Sequence, residues 1–124
     1  MQELDEITLA RARRGDRDAF RQLVVAYQRP VHAVIGRMLV GVGSFAEVEE
    51  LAQETFVRVF RALPEFESQG PGRLSKWVLT IAARLALDEL EAELARSLGA
   101  ARARELRRER RGWPGGEFHW IGCP

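Results

Sequence analysis

Apolar residues recur along this chain at helical spacing in four successive segments, separated by glycine- and proline-bearing breaks. The first segment, Met1 to Arg14, places Leu4, Ile7 and Ala10 inward and is stopped by Gly15. Asp16 is the expected N-cap of the second, whose apolar stripe is Ala19, Phe20, Leu23, Val24, Tyr27, Val31, Val34, Ile35 and Met38. Pro30 interrupts that stripe without ending it, which predicts a kink near Tyr27 rather than two helices. Gly41, Val42 and Gly43 form a turn.

The third segment, Ser44 to Leu63, is the most informative. Ser44 and Glu47 make a capping box, so a helix starts at Phe45. Val48, Ala52, Thr55, Phe56, Val59 and Leu63 share one stripe and are expected to be buried. The opposite face carries Glu50, Gln53, Glu54, Val57 and Arg61. An apolar Val57 ringed by carboxylates and an amide is the composition of a partner-binding face.

Pro64 to Gly72 is a loop rich in breakers, and a fourth helix runs from Leu74 to roughly Leu98. Its core stripe is Leu74, Trp77, Val78, Ile81 and Leu85. Asp88 falls on the same stripe, where a half-buried carboxylate needs an arginine partner, so its expected role is structural. Leu87, Leu90 and Leu94 make a second apolar strip. Arg73, Lys76, Thr80 and Arg84 make a basic strip beside the loop. The expected architecture is therefore all-α, a four-helix body over residues 1–98. Residues 99–124, arginine-rich and then Gly/Pro-rich, read as a flexible basic linker or tail.

Composition adds bounds. The chain has 124 residues, a net charge of +1 and 46% hydrophobic residues, enough for one small core. No apolar run is long enough to span a bilayer and the start does not read as a signal peptide, so a cytoplasmic location is expected. A lone cysteine, Cys123, excludes internal disulfides. The charge is segregated: six acids against two arginines between Gly43 and Gly70, and six arginines against two glutamates between Ala101 and Gly112. Two partners of opposite sign fit that division.

Three blocks carry a resemblance. Glu47 to Phe56 (EVEELAQETF) resembles the acidic region 2.2 of extracytoplasmic-function sigma factors, small members of the sigma-70 family. GDRDAFRQL, from Gly15, resembles region 2.1, and KWVLTIAARLALDEL, from Lys76, resembles regions 2.3 and 2.4. The resemblance, over about Asp5 to Asp88, implies a region 2 domain that binds core RNA polymerase and recognises and melts the −10 promoter element. It implies docking on the clamp coiled coil of the β′ subunit through Glu50, Gln53 and Glu54, with Val57 and Arg61 on the same face. It implies −10 DNA held by Phe66, Ser68 and Gln69 in the loop and by Arg73, Lys76, Thr80 and Arg84. Trp77 reads first as core and second as a stacking platform. The resemblance also allows an anti-sigma factor as partner.

The chain departs from the family pattern in having Ala83-Arg84 where Arg-Asn is usual, and Glu89, Glu91 and Glu93 where arginines are usual. In the family a linker leads from here to a second, −35-reading domain, which is not expected within these 124 residues. Those departures keep a second reading open: a regulatory module of the same fold that occupies the clamp, or an anti-sigma factor, without promoter specificity. Catalysis is not expected, because His32 and His119 lie in unlike contexts and no serine or cysteine has a base beside it. His119 and Cys123 have the spacing of half a zinc site, but with no other cysteine no metal or cofactor is expected.

Overall fold

The computed structural model describes residues 3–67 and 72–111. Four α-helices and one 3₁₀ turn follow in order: α1 Glu6–Arg13, α2 Arg17–Met38, α3 Phe45–Ala62, the turn Leu63–Glu65 and α4 Arg73–Arg111. By its contacts the chain divides into two units, residues 1–90 and 91–124.

In the first unit the starts of α1, α2 and α3 are each fixed by a capping side chain. Asp5 caps α1, its carboxylate accepting from the Thr8 amide at 2.8 Å and the Thr8 hydroxyl at 2.9 Å. Those bonds hold the Asp5 carboxyl below its ordinary range, and the amide of Ala19, first, and Arg11, second, do the same for Asp16. Asp16 caps α2 and also pairs with Arg11 at 2.8 Å, which closes the turn at Gly15. Ser44 caps α3 through the Glu47 amide at 3.2 Å. α2 runs unbroken through Pro30, as one helix.

The core is drawn from all four helices: Leu9 and Ala12 of α1, Leu23, Tyr27, Val31 and Ile35 of α2, Ala52, Phe56 and Val59 of α3, and Leu74, Val78, Ala82 and Ala86 of α4. The expected α3 stripe is inward throughout, Val48 half-buried and the rest buried. Tyr27 is fully enclosed, and burial raises its phenol above the usual value.

Two expectations need correction. In α1, Ile7 is 76% exposed and Ala10 is exposed, while Thr8, Leu9 and Ala12 are buried. The helix starts only after Asp5, so Leu4 packs on the core from outside the helix and sets no helical phase for Ile7. In α4 the buried stripe advances around the helix from Leu74 to Ala82 and Ala86, which leaves Asp88 exposed rather than half-buried. Leu90 packs against the core, and Leu87 is 49% exposed.

In the second unit α4 continues to Arg111 with one break at Gly99, φ 73°. The residues after Gly99, expected as a linker, are thus helical as far as Arg111. Alanine, arginine and glutamate are strong helix formers, and Arg102 pairs with Glu105 one turn on at 3.4 Å. His119 and Cys123 lie outside the described residues.

Candidate functional site

With its apolar stripe buried, α3 presents the other side to solvent. Glu50, Gln53 and Arg61 are exposed, Val57 is 40% exposed, and Glu54 is half-buried and paired with Arg58 at 3.4 Å. The five residues share this face, as their spacing requires. Phe60 joins them and is not among the expected residues. It lies one turn beyond Val57, is 53% exposed and meets the edge of Phe20 of α2, ring centroids 5.2 Å apart. Its signal in the sequence is a second large apolar residue three positions after Val57, outside the buried stripe.

α3 is held to α2 beside this face by His32 and Glu49, 2.9 Å apart. The other ring nitrogen of His32 donates to the Gln28 carbonyl at 2.7 Å. That bond, and then Glu49, raise the imidazole above its ordinary value against partial burial.

The second candidate surface begins where α3 ends. Pro64 lies within the 3₁₀ turn Leu63–Glu65, and Phe66 follows it in extended conformation. Its ring stacks at a tilt on Trp77, and both are half-buried against the core. Trp77 is thus a core residue with one side turned to the loop. Gly72, φ 81°, makes the turn into α4, and its carbonyl accepts from the Lys76 amide at 3.0 Å. Arg73, Lys76, Thr80 and Arg84 are exposed. The Thr80 hydroxyl donates to the Lys76 carbonyl at 2.7 Å. Lys76, Thr80 and Arg84 rim an open groove of about 530 Å³, with an apolar floor from Val34 and Met38 of α2 and Leu79, Ala83 and Leu87 of α4. Ser68 and Gln69 lie outside the described residues. Among the described residues no group of three or more His, Cys, Asp or Glu is placed to hold a metal ion. No helix among them is long and apolar enough to cross a membrane.

A small all-α domain with an exposed acidic face on α3 and a separate basic strip beside an aromatic loop is the arrangement the region 2 resemblance implies. Residues 23–96 match the family described as Sigma-70 region 2, and the chain belongs to that family. It is 35% identical over 91 residues to the RNA polymerase sigma-H factor of Pseudomonas aeruginosa, a match covering 73% of this chain and 45% of that protein. It is 32% identical over 89 residues to the ECF RNA polymerase sigma-E factor of Escherichia coli K12, covering 72% of this chain and 44% of that protein. The chain therefore spans less than half the length of these curated relatives. Among solved structures it is similar to an engineered region 2 of sigma-E, determined by NMR in complex with GTAAAA. That likeness has a TM-score of 0.64 and 32% identity, over 77% of this chain and 97% of the other.

Proposed function

We propose that this chain acts in the cytoplasm as the second-region domain of an extracytoplasmic-function sigma factor. Glu50, Gln53 and Glu54, around Val57 and with Arg61 at the end of the helix, dock on the clamp coiled coil of core RNA polymerase. Phe66, Ser68 and Gln69, with Arg73, Lys76, Thr80 and Arg84, hold the melted −10 strand. Its work is binding: the first surface recruits the enzyme, and the second stabilises the open promoter by occupying the unpaired strand. An anti-sigma factor would oppose it by covering either surface.

The observation that carries this reading is the α3 face. A helix whose far side is fully engaged in the core leaves Val57 exposed among two carboxylates and an amide, a composition that suits a specific partner better than plain solvation. Family membership supports core RNA polymerase as that partner. The basic strip suits phosphates, since exposed cations release counterions on meeting a nucleic-acid strand.

The test is co-purification with core polymerase, with and without a single strand carrying GTAAAA. The expected result is capture of the chain by the polymerase and retention of the strand only when the chain is present. Neutralising Arg73, Lys76 and Arg84 should lower strand affinity and flatten its salt dependence without affecting capture. A chain that core polymerase does not retain would contradict the reading.

A further inference from the structure

α4 begins beside the proposed strand surface, yet its first turn contains no acidic residue to complement the helix N-terminus. A carboxylate arrives there from elsewhere. Glu3, in the segment before α1, accepts through Oε2 from the hydroxyl of Ser75, in the first turn of α4. Its Oε1 accepts from the Tyr27 hydroxyl at 3.2 Å. The Tyr27 oxygen in turn accepts from the Leu4 amide and lies within reach of Ser75, both at 3.4 Å. Tyr27 is fully buried and Ser75 is 7% exposed, so these hydroxyls have no ready exchange with water. One carboxylate at the chain's beginning therefore ties together three elements: the leading segment, the middle of α2 and the start of α4.

Ser75 directly precedes Lys76 and stands two residues before Trp77, both at the surface argued above to hold DNA. We propose that Glu3 is a positioning residue for that surface: through Ser75 and Tyr27 it fixes the first turn of α4, and with it the directions of Arg73, Lys76 and Trp77. The inference rests on the strand-binding reading. It also has an unexpected sign. A carboxylate near a phosphate-binding strip repels the strand, so its removal would tighten binding if the charge alone mattered. If positioning matters more, its removal weakens binding.

The experiment uses the full chain with Glu3→Ala, Glu3→Gln, Ser75→Ala and the Glu3→Ala/Ser75→Ala pair. Each is titrated, well below its melting temperature, with a fluorescent single strand carrying GTAAAA and, separately, with core polymerase. Glu3→Ala is expected to bind the strand about three- to tenfold more weakly, the scale of one lost hydrogen-bonded anchor, with polymerase affinity unchanged. Glu3→Gln, which keeps an acceptor for the two hydroxyls, should fall between Glu3→Ala and the wild type. The pair should be no worse than the weaker single variant, as for two ends of one contact. Equal or tighter strand binding by Glu3→Ala, or parallel loss of both affinities, would overturn the inference while leaving the strand function standing. Absence of strand binding by the wild type would overturn the strand function itself, and this inference with it.

Discussion

The ring of Phe66 lies 4.7 Å from that of Trp77 and is tilted 33° to it. The pair joins the residue just after the 3₁₀ turn to the second turn of α4, and so holds both ends of the loop that leads into the basic strip. A stacked pair of this kind contributes about 0.5–1.5 kcal/mol beyond its burial. Phe66→Ala should therefore lower stability in chemical denaturation by at least that much and also weaken binding of a single strand. Lowered stability with unchanged strand affinity would reduce Phe66 to a core residue.

His32 gives a pH dependence. Its folded-state value is raised, by the Gln28 carbonyl first and Glu49 second, so these contacts contribute in full below the ordinary value of 6.5 and are lost as pH rises through the folded value. Both side chains are more than a third exposed to solvent, at 34% and 40%, so the effect is small and screened by salt. Melting temperatures measured across that range at low salt should fall slightly toward alkaline pH, and Glu49→Gln should reduce the slope, the Gln28 carbonyl retaining the rest. A slope that Glu49→Gln leaves intact would show that the Gln28 carbonyl alone perturbs the imidazole.

Core truncations separate stability from binding. Phe56→Ala and Leu85→Ala should each cost about 2–5 kcal/mol through lost burial and the cavity left behind. Both side chains are at least nine-tenths buried, and neither lies on the exposed face of α3 or in the basic strip. Thermal melts showing either variant unchanged would contradict the packing.

Capping and periodicity make most of this fold legible in the sequence. Asp16 and Ser44 cap the helices their positions predict, and the α3 stripe is inward along its whole length, because a long amphipathic helix against one core leaves little choice of phase. Short and terminal pieces are less legible. Ile7 departs from its expected place because an eight-residue helix offers only two turns of pattern, and Asp5 rather than Met1 sets its start. Asp88 departs because the buried stripe of a long helix drifts around its axis. The helix after Gly99 is hidden because an arginine-rich run lacks an apolar period even where its intrinsic propensity is high. The Glu3–Ser75 contact, between residues 72 positions apart, leaves no local trace in the sequence at all.

If the exposed face of α3 docks on core polymerase, folded variants of that face lose affinity for it. Gln53→Ala and Glu54→Lys should each weaken binding by about 2 kcal/mol or more, a loss typical of residues at the centre of an interface. Circular dichroism and melting temperature should stay close to wild type, since Gln53 is exposed and the Glu54 partner, Arg58, is itself an exposed arginine. A well-folded double variant that binds core polymerase as tightly as the wild type would show that the α3 face does not dock there.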